Sequence, residues 1–277
     1  MATGEFHFTD KDFDRVAKLV GERTGIVLSS AKKQMVYSRL ARRLRALGLK
    51  EFSKYLKMVH DDVDGELVNF VNAMTTNLTA FFREPHHFEY LAQTALPRVM
   101  KANASKRQIR IWSAGCSTGE EPYTIAQVVR EVIPPRSGWD IQIIATDLDS
   151  NVLRTAANGV YAEERVAGIS QQRLKRWFMR GKGSNSGMVR VKSELRDLIT
   201  FQQLNLMESW PVKGPFDIIF CRNVVIYFSK DTQRTLVSRY ADLMAADANL
   251  FLGHSESLFK VSDRFKLIGN TIYQRTH

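Results

Sequence analysis

The chain changes its hydrophobic period once, near residue 108. Before that point apolar residues recur every three to four positions, the spacing of helices buried along one face. Phe13, Val16, Ala17 and Val20 share one side of a first helix, which Asp10 or Asp12 can cap and Gly25 can end. Val36, Leu40, Leu44 and Leu47 line a second helix over 31–47, stopped by Gly48. Two more helices are expected at 51–60 and 64–75. No strand pattern interrupts them, so residues 1–75 read as a small all-α domain.

Residues 76–90 join this unit to the next. The segment runs Thr76-Asn77-Leu78-Thr79-Ala80-Phe81-Phe82-Arg83-Glu84-Pro85-His86-His87-Phe88, a polar turn followed by aromatics, and a helix is expected at 86–101. From 108 onward strand and helix alternate, as in a parallel α/β sheet. Strands are expected near 108–113, 141–146, 199–204, 216–221 and 248–253, with helices near 120–132, 149–157 and 230–246. Phe265–Gln274 reads as an antiparallel hairpin about Gly269-Asn270. Between 160 and 198 the alternation breaks. A helix at 170–179 precedes the loop Gly181–Gly187, and Met188–Lys192 alternates like a strand. The expected fold is α/β: a doubly wound, Rossmann-like sheet over 91–277, a small N-terminal all-α domain, and an antiparallel β-subdomain inserted at about 160–198. This is the build of S-adenosylmethionine (SAM)-dependent methyltransferases.

The turn after the first expected strand narrows the ligand. It reads Ser113-Ala114-Gly115-Cys116-Ser117-Thr118-Gly119-Glu120-Glu121-Pro122. Gly115 and Gly119 let bare backbone approach a ligand. A phosphate ligand would use the free helix N-terminus. Glu120 and Glu121 stand there instead, so the ligand carries a cation, as the ammonium and sulfonium of SAM do. The same glutamates would also complement the helix macrodipole. Asp147 ends the next strand, where a carboxylate can accept from both hydroxyls of a ribose. Asn205 and Leu206 follow a third strand, placed for the edge and face of adenine. A fourth strand ends in Arg222-Asn223 with Tyr227 close behind. Strand ends of open sheets carry active groups, so Asn223 and Tyr227 join the candidates.

Charge adds a partner. The net charge is +11 and the pI about 9.7, which calls for an acidic partner. Residues 31–50 carry seven Lys/Arg and no acid. On a helical wheel Lys32, Arg39, Arg42 and Arg43 share one arc, a candidate docking face. The two cysteines, Cys116 and Cys221, make neither a disulfide framework nor a zinc spacing. His86-His87 has no carboxylate or cysteine at ligand spacing and reads as helix surface and core, so no metal is expected. The first 25 residues lack the apolar stretch of a signal peptide, and no run approaches the roughly 20 apolar residues of a membrane span. A cytoplasmic location is expected, with membranes met only through a partner. Nothing demands more than a monomer.

Four segments in order resemble the CheR family of chemotaxis receptor methyltransferases. They are Asn77–Arg83, Ser117–Tyr123, Phe220–Phe228 and Gly253-His254-Ser255-Glu256-Ser257. The resemblance implies a protein-glutamate O-methyltransferase that uses SAM, releases S-adenosylhomocysteine and esterifies glutamates on the cytoplasmic helices of chemoreceptors. It implies that Asn77, Thr79, Arg83, Glu121, Asp147, Asn205, Leu206, Arg222 and Asn223 line the donor pocket, with Arg83 and Tyr227 nearest the transferred methyl. It implies that the helical domain meets the receptor. In some members the β-subdomain binds a receptor C-terminal tail, and whether this chain does so stays open. Two rivals stay open as well. A nucleic-acid methyltransferase would explain the charge, but no Asn-Pro-Pro-Tyr-type motif or RNA-binding module is found, so no nucleic-acid partner is expected. The other is a non-catalytic SAM-binding adaptor, against which Arg83 and Tyr227 argue.

Overall fold

The computed structural model describes residues 5–276. Four helices open the chain: α1 (Asp10–Thr24), α2 (Lys33–Leu47), α3 (Phe52–His60) and α4 (Glu66–Met74). The cap of α1 is Thr9 rather than either expected aspartate. Its hydroxyl accepts from the Asp12 amide while the Asp12 carboxylate accepts from the Thr9 amide, a reciprocal capping box. Gly25 and Gly48 end α1 and α2 in left-handed conformation, as expected. Phe13, Val16, Val20, Val36, Leu40, Leu44, Phe52, Tyr55 and Phe70 fill one core between these helices.

The helix expected at 86–101 is broken into three pieces. α5 (Pro85–Tyr90) runs through a π-turn at Leu91–Ala95 into α6 (Leu96–Ala102). Pro97 explains the wide turn. It has no N–H for the carbonyl four residues back, and its ring crowds that carbonyl.

The sheet follows. β1 (Gln108–Ala114) leads to α7 (Glu120–Val132), β2 (Asp140–Asp147) and α8 (Ser150–Asn158). An excursion of β3 (Val160–Ala162), α9 (Gln171–Trp177), β4 (Phe178–Arg180), β5 (Met188–Val191) and α10 (Ser193–Arg196) intervenes before β6 (Ile199–Gln203). Then come β7 (Phe216–Cys221), α11 (Lys230–Leu243), β8 (Met244–Leu252), β9 (Phe265–Gly269) and β10 (Ile272–Arg275). The main sheet has the order β6-β2-β1-β7-β8-β10-β9, with five parallel strands closed by the antiparallel β9–β10 hairpin. β3, β5 and β4 make a separate antiparallel sheet. The doubly wound fold, the final hairpin and the inserted subdomain all match expectation.

The central strands are buried on both faces, which is why they read as continuous apolar runs. All six residues of β7 are buried. Ile109, Ile111, Ile218, Phe220 and Phe251 pack toward α5, α6 and α7. Trp112, Phe216, Ile219 and Leu250 pack toward Leu236, Val237 and Tyr240 of α11. Among the described residues no helix is long and apolar enough to cross a membrane.

Candidate active site

The sheet reverses direction between β1 and β7. The chain runs outward from β1 through β2 to β6, then returns to add β7 on the other side of β1. Open α/β sheets place ligands at such a switch point, outside the carboxyl ends of the strands. A cleft opens there. Its walls include Asn77, Thr79 and Arg83 from the linker, Gly115 and Glu121 after β1, and Asp147 at the end of β2. Asn205 and Leu206 after β6, and Arg222, Asn223 and Tyr227 after β7, complete the set. These residues face one cavity, although they span some 150 positions of chain.

The two acids at the base differ in what holds them. Asp147 takes one backbone N–H on each oxygen, from Ser117 at 2.8 Å and Asp149 at 3.0 Å. Burial still outweighs these bonds and raises its carboxyl to about 6. A charged Asp147 thus gains from further donors, such as a diol. Glu121 accepts from the Ser113 hydroxyl at 2.7 Å and from Arg222 Nη1 at 3.1 Å. Burial raises it too, against the pull of Arg222. Asp149, not Asp147, caps α8, accepting from the amides of Asn151 and Val152.

Two expectations at this turn need correction. Glu120 does not face the cleft. It is fully buried, and it pairs with Arg165 of the inserted segment. Gly119 serves packing rather than ligand approach, because a Cβ there would lie 2.9 Å from Ala156 Cβ and from Tyr161 Oη. Gly115 does line the cleft, but a Cβ on it would first strike Val224 Cγ2 at 2.4 Å. Its bareness lets the β1 and β7 loops meet.

Arg222 organises the floor. Its side chain is 2% exposed and reaches Glu121, Glu84 at 3.4 Å and the carbonyl of Arg83. Arg83 in turn donates from Nη1 to the Leu78 carbonyl at 2.8 Å, closing the linker into a loop over the cleft. The Asn77 side chain holds Asp149 at 2.8 Å, and its carbonyl accepts from Ser117 Oγ. Asn205 Nδ2 donates to the Arg23 carbonyl at 2.7 Å, and its Oδ1 accepts from the Met207 amide.

Two organising acids escaped sequence reasoning. Glu256 lies in the segment Gly253–Ser257. Its carboxylate accepts from the amides of Asn223, Val224, Ile226 and Gly253, so it shapes the loop that carries Tyr227. Asn223 itself sits at φ 59, and Gly253 leaves it room: a Cβ there would lie 2.4 Å from Asn223 Nδ2. Glu84 is the second. It accepts from His254 Nδ1 at 2.8 Å. Burial pushes its carboxyl up, but His254 and Arg222 outweigh burial and hold it at about 2. Glu84 also corrects the reading of His86-His87, since it supplies the carboxylate that seemed missing. His87 is wholly buried, and burial together with Arg222 lowers it to about 4.

The helical domain contributes to the cleft itself. Thr24, Ile26, Val27, Leu28, Lys32, Met35 and Met74 wall the same cleft. The loop after α1 is stitched to the β7 loop by Val27 N–H donating to Tyr227 O at 2.9 Å and by a bridge between Ile26 and Phe228. The basic arc also differs from a free surface. Arg43 makes a forked pair with buried Glu66, at 2.9 and 2.6 Å. Arg39 Nη1 donates to the carbonyls of Met74 at 2.8 Å and Thr75 at 2.7 Å, where α4 passes into the linker. Arg42 stays exposed, with only a long 3.4 Å contact to the Ser38 carbonyl.

The chemistry of this cleft fits SAM. Its lining combines two buried carboxylates, Asp147 and Glu121, with the apolar side chains of Leu204, Leu206, Met35 and Met74. Comparison with known proteins agrees. Residues 11–75 match the CheR methyltransferase all-alpha domain, and residues 77–274 match the CheR methyltransferase SAM binding domain. The chain is 44% identical over 274 residues to a chemotaxis protein methyltransferase of Escherichia coli, covering 98% of this chain and 93% of that protein. It is 46% identical over 274 residues to chemotaxis protein methyltransferase 2 of Pseudomonas aeruginosa, covering 97% and 94%. Matching in both domains and over nearly its whole length, the chain belongs to the CheR family of SAM-dependent methyltransferases.

Proposed function

We propose that this enzyme methylates glutamate side chains of chemoreceptors, leaving γ-glutamyl methyl esters. One observation carries the reading: Glu121 and Asp147 lie at the base of a cleft whose wall also holds Arg83 and Tyr227, and among the described residues no histidine lines it. A glutamate acceptor has a reference pKa near 4.3 and is already ionised at neutral pH, so it needs no general base. When bound, SAM would supply an electrophilic methyl: the acceptor oxygen's lone pair would form the ester C–O bond while the S–C pair stayed on sulfur.

The chain's own residues bind, align and exclude water. Glu121 and Asp147 hold the donor's ammonium and ribose, while Asn205 and Leu206 meet adenine. Asn77 and Thr79 close the linker side, and Arg222 and Asn223 close the β7 side. Arg83 steers the acceptor carboxylate with its forked guanidinium, and Tyr227 hydrogen-bonds beside the methyl or the acceptor. Alignment of this kind can contribute up to roughly 7–11 kcal/mol. On this reading residues 1–75 dock the receptor, 76–90 link and line the site, and 91–277 hold the donor. β3 and β4 are the edges of the inserted sheet, where a receptor tail can add as a further strand.

The test is incubation of receptor-bearing membranes with the enzyme and methyl-labelled SAM. Base-labile label on a receptor band is expected. Label on nucleic acid, or none on protein despite donor binding, would overturn the proposal.

A further inference from the structure

Beside the cleft, at the start of α5, three side chains converge without satisfying one another. Glu84, His86 and His87 each place a ligand atom within 4.8 Å of the others. The His87 side chain is 0% exposed and that of Glu84 10%. His87 Nε2 faces the Asn270 carbonyl at 3.0 Å, and a carbonyl can only accept. Nε2 therefore carries the ring proton, and Nδ1 keeps its lone pair. That Nδ1 and Glu84 Oε2 stand 3.5 Å apart, both buried and both without a hydrogen-bond partner. Two electron-pair donors facing each other in a dry place call for an acceptor between them.

His86 completes the set. Its Nε2 faces the same Asn270 carbonyl at 3.3 Å, and its ring lies 4.1 Å from that of His87, centroid to centroid. Thr271 Oγ1 donates to this carbonyl at 2.8 Å and lies 3.1 Å from His87 Nε2, whose proton the hydroxyl oxygen shares with the carbonyl. Both imidazoles thus turn their far N–H to backbone oxygen, as metal-bound histidines do. We propose that Glu84, His86 and His87 bind a divalent first-row transition ion of the zinc class. Two imidazoles and one carboxylate favour that class over magnesium or calcium. His86 is half-exposed, so solvent can supply the fourth position.

Two neighbours set the consequence. Arg222 Nη2 lies 3.4 Å from Glu84 Oε2, and His254 Nδ1 lies 2.8 Å from Oε1. The ion takes Oε2 from Arg222 and leaves Oε1 to His254. Arg222 is thereby loosened beneath the cleft, so occupancy lowers methyl transfer.

The full-length protein, stripped with chelator, is titrated with zinc chloride by calorimetry. One ion is expected with Kd on the order of 10 μM or tighter, unaffected by millimolar magnesium. His86→Ala should weaken it by at least about tenfold, keep its metal-free methyl transfer and lose zinc inhibition. In the unaltered protein, zinc should shield the peptide carrying His86 and His87 from diethyl pyrocarbonate. A Kd weaker than about 1 mM, equal binding by His86→Ala, or unshielded histidines would each overturn the site.

Discussion

The backbone N–H of Val27 donates to the carbonyl of Tyr227 at 2.9 Å. A loop of the helical domain therefore fixes the backbone of the phenol proposed to face the methyl. Val27 is 61% exposed, so its side chain adds little to the core. Val27→Pro removes the donor and also restrains φ and the preceding Ile26, so the lost hydrogen bond of about 0.5–1.5 kcal/mol sets a fall in kcat of at least roughly two- to tenfold. Val27→Ala should be silent. Equal rates for both variants in a steady-state assay would detach the helical domain from the alignment of Tyr227.

Arg39 and Arg42 should behave differently despite sharing one arc. Arg39 anchors the α4–linker junction, so Arg39→Ala should cost about 1–3 kcal/mol and weaken donor binding. Arg42→Ala should leave stability and donor affinity alone, while lowering receptor use and its dependence on salt. Urea melts, donor calorimetry and methylation at two salt concentrations separate the cases. Identical profiles would return both residues to a common docking role.

Arg83→Ala should cut turnover by about 100-fold or more if orientation is its task, with a much smaller change in affinity for S-adenosylhomocysteine. Tyr227→Phe should lose roughly 10- to 100-fold in kcat, the span of a hydrogen bond to a charged group. Single-turnover rates beside product affinity make the division. Equal losses in both quantities for Arg83→Ala would place that residue in the donor pocket alone.

Acid should weaken donor binding. Burial keeps a proton on Asp147 up to about pH 6 in the free protein, and a diol needs the carboxylate. Proton and donor therefore compete. Affinity is expected to be flat above about pH 7 and to fall about tenfold per unit well below 6. Glu121, also raised by burial, adds to the trend. Asp147→Asn should bind more weakly at pH 7 and flatten most of the slope. Wild-type affinity that is constant from pH 5 to 7.5 would contradict this.

Glu121→Gln tests the floor. Arg222, 2% exposed, would lose a partner held at 3.1 Å and keep Glu84, a carbonyl and the Phe88 ring 5.4 Å away. Removing one member of a buried pair costs about 3–5 kcal/mol. Thermal melts should show the loss, and S-adenosylhomocysteine should no longer restore stability. A melting point unchanged from wild type would mean that Glu84 alone suffices for Arg222.

Much of this was legible from the chain because it depends on neighbours in sequence. The runs that became β1 and β7 announce themselves by apolar density, and Asp147 by its place at a strand end. Glu84 and Glu256 were not legible. Glu256 organises amides that lie 30 to 33 residues earlier, and Glu84 meets His254 across 170 residues. Only the closed sheet brings them together. Arg39 misled for a related reason. A helical wheel ranks a charge by its direction from its own axis, and it cannot register that α4 ends beneath that guanidinium. The π-turn before Pro97 was equally invisible to a period count, which tolerates one wide turn.

The fully buried Glu120 is neutralised from outside its own layer, by Arg165, while Tyr161 donates to the Thr118 carbonyl at 2.7 Å. The excursion between α8 and β6 is thereby a structural dependency of the donor loop. A pared-down enzyme lacking that excursion would strand an anion in the interior and strip Tyr161, Trp177 and Val191 from the core they share with the sheet. Miniaturising this protein would demand a neutral replacement at 120 in the same step, and transplanting the excursion would mean moving it with the donor loop as one cassette.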